Sequence, residues 1–353
     1  MSHPRTDALF RHPELDAQQL VRTHELRRVE VAHDPAVSFG LPVPRAMGLA
    51  HPQVQQPRRR GQPEVLAVAG LPPDLSGPRL LVSAQTLVYE VDPLEWLRWL
   101  FTNAGWTIAL ARSHPGPDGP RYEVGAMREH DGGVLVRRTM AVRGGPRLVR
   151  CDAEATMAQW PAWHDALWAS LQGFDLGAPQ RGSVEALVAW DGPLLSFGLP
   201  GSWDCQGVPS DDTEGAAWAA MPDRDVQRGA TLAIQVQALA PGQGAVARRR
   251  RMFEELRRET AAAGGSLSGF LEASRPELKA HVPGWVGQWQ ALGQCSAGDV
   301  VVVVVQREEH GAAMDVVLTA PAAGTDHIDW MRATRALDIV IATSSLGREQ
   351  EVA

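Results

Sequence analysis

The residue types that most often bind metals occur in this chain, but their spacing matches no known ligand pattern. Eleven histidines are present, and none stands in the HxH or HExxH arrangements that place two ligands side by side. His164 is next to Asp165, and His327 is near Asp326 and Asp329, as is common on the polar face of a helix. The sequence therefore predicts no metal site.

Nucleophiles and phosphate-binding loops give no stronger pattern. Cys151, Cys205 and Cys295 are widely spaced and odd in number, which predicts neither a disulfide framework nor a zinc knuckle. Ser268 lacks the G-x-S-x-G spacing of an exposed nucleophile, and the GQG at 242–244 lacks the residues that complete a phosphate loop. We therefore expect no catalytic residue and no cofactor, and the sequence favours a non-catalytic protein over an enzyme.

The composition is that of a globular protein with an excess of acidic side chains. The chain has 353 residues, of which 44% are hydrophobic and 21% charged, and its formal net charge is −7. This length predicts two domains of ~150 residues each, and the negative charge argues against a nucleic-acid partner. The sequence contains no apolar run typical of a membrane span or a signal peptide. We expect a cytoplasmic protein that does not insert into a membrane.

The strongest local signal is an apolar helix. Tryptophan is abundant, with 12 residues against two tyrosines, and three of them fall in the stretch DPLEWLRWLFTNAGW. Asp92 suits an N-cap, Pro93 the first helical position and Gly105 the end of the helix. Apolar side chains surround most of this helix, whereas one sheet can cover only a stripe of it. The remainder must contact the other half of the chain or a partner protein. The predicted protein-binding residues are Leu94, Trp96, Trp99, Leu100 and Phe101.

Two arginine runs, at 58–60 and 248–251, offer charge instead of apolar surface. The second run lies on a predicted helix that also carries glutamates, with Glu254 and Arg258 spaced to form a pair. This pattern favours a salt-bridged face toward solvent over a binding site for an acidic partner.

The larger organisation of the chain is indicated by the pentapeptide SFGLP, which occurs at 38–42 and again at 196–200. In each half it is followed by a strand-like run, a helix, further strands and a closing helix that carries tryptophan. A glycine- and proline-rich stretch separates the halves. We interpret this shared order as a tandem duplication in which SFGLP marks the first strand of each copy.

The predicted fold class is α+β, with two tandem copies of a mainly antiparallel sheet flanked by helices in an α/β/α sandwich. Short turns such as RGGP favour antiparallel hairpins. The six valines of DVVVVVVQ at 299–306 predict a strand that is buried on both faces. The expected boundaries are an N-terminal extension at 1–34, repeats at 35–177 and 184–346, a linker at 178–183 and a C-terminal tail at 347–353.

The opening LSFGLPGSWDC and the closing LWASLQGF resemble those of the PsbP/DcrB-like superfamily. Its members open with an F-x-lP-x-x-W type strand and close with a helix that runs into an S-F-like end. Trp203 matches the opening in the second copy, whereas the first copy has Arg45 or Ala46 at that position, and the second copy ends IATSSL without the phenylalanine. The resemblance covers most of 35–346 and implies a fold more than a function.

Two hypotheses about function follow. The first is a non-catalytic protein-binding module that takes an apolar segment of a partner. The superfamily includes effector-associated chaperones of bacterial type VI secretion, so the resemblance implies a cytoplasmic chaperone or adaptor for a secretion-system effector. The alternative is an enzyme or small-ligand-binding protein with its site in the cleft between the two repeats.

Overall fold

The computed structural model of the chain describes residues 9–13, 16–51, 63–73, 76–117, 119–131, 133–177, 182–192, 194–208, 215–222, 229–239 and 244–347. The chain divides into two compact units, Met1–Val184 and Glu185–Ala353. Both units combine antiparallel sheets with α-helices. The predicted α+β fold class is therefore confirmed.

The first unit contains two antiparallel sheets. The larger has seven strands in the order β3-β4-β5-β9-β8-β7-β6, and the smaller has the order β1-β2-β10. The helices are α1 (Ala17–Thr23), a short 3-10 helix (Pro35–Val37), α2 (Pro93–Asn103) and α3 (Trp160–Gly173). The strands are β1 (His24–Val29), β2 (Phe39–Pro44), β3 (Gly48–Ala50), β4 (Glu64–Leu71), β5 (Ser76–Thr86), β6 (Thr107–His114), β7 (Arg121–His130), β8 (Gly133–Gly144), β9 (Arg147–Thr156) and β10 (Asp175–Leu176).

The two faces of the larger sheet in the first unit are covered by different helices. α3 packs on β5, β8 and β9, and α2 packs on β6 and β7. Alternation along β8 separates these faces. Val136 and Met140 lie in the core with α3, while the Arg137 guanidinium lies 4.2 Å from the centre of the Trp106 ring beside α2.

The N-terminal segment and the first SFGLP form the smaller sheet of this unit. β2 pairs with β1 on one side and with β10 on the other. Phe10 is buried in the core of the unit, 6.2 Å from Trp160 between ring centres. Thus 1–34, which the sequence analysis sets apart as an extension, supplies a strand and a core side chain to the first unit.

The second unit also contains two antiparallel sheets. The larger follows the path β13-β14-β15-β20-β19-β18-β16 with β17 beside β18, and the smaller has the order β11-β12-β21. Its helices are α4 (Ala245–Ala262), α5 (Pro276–His281) and α6 (His327–Thr343). Its strands are β11 (Leu187–Asp191), β12 (Leu195–Pro200), β13 (Trp203–Val208), β14 (Gly215–Pro222), β15 (Thr231–Ala238), β16 (Ser266–Leu267), β17 (Leu271–Glu272), β18 (Trp285–Cys295), β19 (Gly298–Glu309), β20 (Ala312–Pro321) and β21 (Ser345–Leu346).

The two units have the same strand order in their larger sheets. The FGLP residues of each copy lie in the middle strand of a small sheet, β2 or β12. This strand is the second of its unit, after β1 or β11, and not the first as predicted. A common origin of the units by duplication, with the repeat boundaries given above, remains a proposal. Most of the expected linker, 178–181, and the tail after Gly347 lie outside the described residues.

The core of the second unit follows most of the apolar pattern of the sequence. Of the six valines on β19, the five at 301–305 are buried, as predicted for a strand covered on both faces, whereas Val300 is partly exposed. Trp203 is buried at the start of β13. Trp330 lies in the first turn of α6, packs against this core and is partly exposed beside His327.

We expect Trp203→Ala to lower the free energy of unfolding by ~3 to 5 kcal/mol, because it removes a large buried ring. Trp330→Ala should cost clearly less. Val246→Ala, at a side chain that is 67% exposed, should change the free energy by less than ~0.5 kcal/mol. Urea denaturation measures all three, and equal losses for the two tryptophan variants would contradict this description of the core.

Candidate functional site

The helix predicted to bind a partner is α2, and its start is fixed by local interactions. The Asp92 carboxylate accepts hydrogen bonds from the backbone N–H groups of Leu94 at 2.8 Å and Glu95 at 3.0 Å. Pro93 occupies the first position, and Gly105 follows the end of the helix with a φ of +76°. These contacts match the predicted cap and stop, because such signals depend only on neighbouring residues.

One side of α2 belongs to the core of the first unit. Leu97 and Phe101 are buried, and the Phe101 ring lies 6.1 Å from that of Trp106. Phe101, which the sequence analysis includes among the binding residues, therefore packs inside the unit and cannot contact a partner directly. Phe101 follows Leu97 by one turn and Pro93 by about two turns on the same buried stripe of the helix, which gives the physical reason.

The other four predicted residues, Leu94, Trp96, Trp99 and Leu100, are all partly exposed. We call them the aromatic face of α2. The Trp96 and Trp99 rings are 4.8 Å apart with an interplanar angle of 36°. The indole N–H of Trp96 donates to Gln85 Oε1 on β5 at 3.3 Å, so Trp96 is tied to the sheet. Trp99 is the better candidate for an outward contact.

A second group of side chains, distant in sequence, meets at Glu123 in the same unit. Arg112 and His114 lie on β6, Glu123 on β7 and Arg138 on β8, and His12 lies in the described segment 9–13. We call these five residues the Glu123 cluster. Sequence reasoning missed it because His12 and Glu123 are 111 positions apart and only the pairing of the strands brings the others together.

Both oxygens of the Glu123 carboxylate are occupied. Oε1 accepts from Arg138 Nε at 2.8 Å. Oε2 accepts from Arg112 Nε at 2.9 Å and from His114 Nε2 at 2.6 Å, and His12 Nε2 lies 3.2 Å away. The Glu123 side chain is 0% exposed. Such a buried charge is stable only when it is paired and hydrogen-bonded.

The surroundings set the ionisation of this cluster. Burial alone would raise the pKa of Glu123, but the hydrogen bond from Arg112, the charge of Arg138 and the hydrogen bond from His114 outweigh it and lower the pKa to about 2. Burial is the largest influence on Arg138, whose pKa falls to about 10 although Glu123 opposes the change. Both groups therefore remain charged at neutral pH.

Arg138 connects the cluster to α3 and to the N-terminal segment. Its Nη1 donates to the carbonyl oxygen of Arg11 at 2.8 Å and to His164 Nε2 at 3.2 Å, and its guanidinium lies 3.5 Å from the Trp168 ring centre. Because arginine only donates, His164 accepts at Nε2 and donates from Nδ1 to Asp165 at 2.8 Å. His164, expected on a polar helix face, is thus buried in an ion network.

The nitrogen and oxygen atoms of His12, His114 and Glu123 lie within 4.8 Å of one another, which is compatible with three ligands of one zinc ion. Two arginines already contact the carboxylate of this set, and their positive charges disfavour a dication at the same oxygens. Metal-bound histidines also usually donate their second N–H to a carboxylate or carbonyl. The donor set fits a carboxylate held by cations better than a metal centre.

The arginine run on α4 has a different role from the one predicted. Arg248 is buried in the second unit and donates to Asp315 at 2.8 Å and to Glu308 at 2.9 Å. Gln306 also donates to Asp315, at 2.9 Å. The expected solvent face therefore begins after Arg248, because the buried Asp315 carboxylate needs a cationic partner.

On the exposed part of α4 the ion pairs differ from the predicted Glu254–Arg258 pair. Arg250 pairs with Glu254 at 3.1 Å, and Arg258 pairs with Glu255 at 3.4 Å. All four side chains are more than half exposed. Pairs of this kind contribute little free energy.

Two of the cysteines are poor nucleophiles at neutral pH. Burial raises the pKa of Cys151 well above its ordinary value and raises that of Cys205 to about 11. Both therefore carry protonated thiols.

Among the described helices, none has the length and apolarity to cross a bilayer.

Comparison with known proteins gives structural similarity at low sequence identity. No family model matches the chain, and no curated protein matches it. Cyanobacterial PsbP (CyanoP) from Synechocystis sp. PCC 6803 is 10% identical, with a TM-score of 0.33, over 43% of this chain and 92% of that chain. LpqN, involved in cell envelope biogenesis of Mycobacterium tuberculosis, is 14% identical, with a TM-score of 0.31, over 46% and 98%. The type VI secretion immunity protein TplEi from Pseudomonas aeruginosa is 10% identical, with a TM-score of 0.25, over 92% and 97%. These values carry no assignment of function.

We expect Glu123→Gln to lower the free energy of unfolding by ~3 to 5 kcal/mol, because it leaves the buried Arg138 guanidinium without its counter-charge. The matched control is Arg11→Gln, which breaks an ion pair with Asp165 whose side chains are 62% and 59% exposed. It should cost less than ~1 kcal/mol. Similar losses for both variants in urea denaturation would contradict the importance of the buried pair.

The same carboxylate predicts a dependence of stability on pH. The folded-state pKa of Glu123 is about 2, below its ordinary value of 4.5, so its stabilising contribution is present above pH 4.5 and is lost as the pH falls through 2. The difference in stability between the wild type and Glu123→Gln should therefore shrink over this range. Denaturation curves at successive pH values test this, and a constant difference would be inconsistent with the lowered pKa.

Proposed function

We propose that this protein is a non-catalytic protein-binding module that takes an apolar segment of a partner protein on the aromatic face of α2. The observation that carries the proposal is the pair of partly exposed indole rings, Trp96 and Trp99, at 4.8 Å from each other. Tryptophan is among the residue types enriched at the energetic centres of protein interfaces.

The position of these rings is determined before a partner arrives. Leu97 and Phe101 fix one side of α2 in the core, the Asp92 cap fixes its start, and Gln85 holds the Trp96 ring. A side chain that is already ordered loses little conformational entropy on binding. The aromatic face is therefore suited to bind an apolar segment with little rearrangement.

The charged alternative is weaker on physical grounds. Arg250 and Arg258 on α4 are exposed and already paired with glutamates, so a partner would have to replace those contacts. Exposed ion pairs also contribute little and are screened by salt. The arginine run is not the binding surface in this proposal.

The finer proposal is a cytoplasmic chaperone or adaptor for an effector of a bacterial secretion system, built from tandem PsbP/DcrB-like copies at 35–177 and 184–346. It rests on the resemblance of LSFGLPGSWDC and LWASLQGF to that superfamily. An apolar effector segment is the kind of partner that the aromatic face would accommodate.

We expect Trp99→Glu to abolish capture of the partner, because a charge in the centre of an apolar contact is left without its water shell. Thermal stability should be nearly unchanged, since Trp99 is partly exposed. The measurement is affinity capture from extracts of the native host, followed by mass spectrometry and by binding assays with the purified partner. Co-expression with that partner tests the chaperone proposal, which expects an increase in the partner's soluble fraction.

The control variant carries Arg250→Gln and Arg251→Gln together, on exposed side chains of α4, and leaves the buried Arg248 intact. It should bind as the wild type does. Retention of the partner by Trp99→Glu, together with its loss in the arginine double variant, would overturn the assignment of the binding face.

A further inference from the structure

A pocket of about 350 Å³ opens beside the Glu123 cluster in the first unit. This volume falls in the range of small-molecule sites, which combine apolar walls with a few converging polar groups. Its lining includes His12, His114, Pro115, Arg121, Met140 and Trp168. The pocket is independent of the aromatic face of α2, whose residues do not line it.

The charge around the pocket is positive although the whole chain is acidic. Arg112 and Arg138 both contact Glu123, so the single carboxylate of the cluster is outnumbered by its guanidinium partners. Arg121 adds a third guanidinium, on the pocket wall. Its nearest described carboxylate, Asp175, is 3.9 Å away and 57% exposed, which makes a weak pair. An anionic group would therefore be attracted to this pocket.

Arg121 is positioned to receive such a group. Its side chain is 17% exposed, and Nη1 donates to the Gln172 carbonyl oxygen at the end of α3, at 2.9 Å. Among the described residues this is its one hydrogen bond, so the guanidinium retains further donors in a fixed plane, which matches the two oxygens of a carboxylate. The His12 and His114 rings on the same wall add polar groups.

The remaining walls favour an organic ligand over a bare inorganic ion. Met140 and Trp168 are buried and line the pocket, and Pro115 adds a third apolar surface. The centre of the Trp168 ring lies 3.5 Å from the Arg138 guanidinium and 4.3 Å from the centre of the His12 ring. These contacts limit its movement, so the apolar wall is largely preformed.

We infer that this pocket binds a small organic carboxylate, with its carboxylate on Arg121 and its apolar body against Trp168 and Met140. A planar ring or a short aliphatic chain fits the volume. The inference does not depend on the proposed protein partner, and the two can fail separately.

The test uses benzoate as the probe and benzamide, which has the same shape without the charge, as its control. Titration of the full chain by calorimetry and by NMR should show benzoate binding, and benzamide should bind at least ~10-fold more weakly because charge-assisted hydrogen bonds contribute ~1.5 to 3 kcal/mol. Equal binding of both probes, or no benzoate binding, overturns the inference.

Substitutions of two arginines on β7, one in the pocket and one outside it, test where benzoate binds. Arg121→Gln should weaken benzoate binding at least ~10-fold, and Arg121→Lys should give an intermediate loss because lysine keeps the charge without the planar fork. The matched control is Arg128→Gln, also on β7, where the guanidinium lies 4.6 Å from the Trp106 ring and outside the pocket. It should bind benzoate as the wild type does. Circular dichroism checks that each variant is folded.

A titration with Zn²⁺ alone separates this inference from a metal site. We expect no stoichiometric zinc binding that depends on His114 and Glu123. Stoichiometric binding that is lost in His114→Gln would show that the cluster holds a metal, and the carboxylate assignment would be wrong. The assignment of the carboxylate to Arg121 would also be wrong if the Arg121→Gln variant bound benzoate as tightly as the wild type does.

Discussion

An antiparallel sheet with apolar side chains on both faces must be covered twice, and this constraint organises each unit of the protein. In the first unit α3 covers one face with Trp160, Leu167 and Trp168, all fully buried, and α2 covers part of the other. In the second unit α6 covers one face in the same way, but α4 contributes only one buried residue, Arg248. α4 contacts that sheet through the pair of Arg248 with Asp315 and through Phe253, whose ring lies 6.2 Å from that of Trp289.

Buried ion pairs hold residues together that are distant in sequence. The contact of Glu123 with Arg138 joins β7 to β8, and the other donors of Arg138 reach the carbonyl of Arg11 and the ring of His164. Such a network stabilises only when every member is satisfied, since an unpaired buried charge is costly. One guanidinium thus connects the sheet, α3 and the N-terminal segment of the first unit.

The first unit therefore has two surfaces of different chemistry. The aromatic face of α2 is apolar and formed by residues within two turns of one helix. The pocket beside Glu123 is polar on one side and apolar on the other, and it is built from β6, β7, β8, α3 and the N-terminal segment. Binding of a protein segment and binding of a small anion require these different arrangements, because one depends on removing apolar area from water and the other on fixed donors.

The sequence by itself determined the features that depend on neighbouring residues. The cap at Asp92, the end of α2 near Gly105, the buried valine strand and the α+β class all follow from local spacing and from the period of apolar residues. It did not determine that Trp96 is tied to Gln85, that Arg248 is buried, or that His12 lies 3.2 Å from Glu123. Those outcomes depend on strand register and on the helix that covers each face, which bring together residues separated by many positions. Only the tertiary structure decides such contacts, because their free energy arises from burial and pairing across the folded unit.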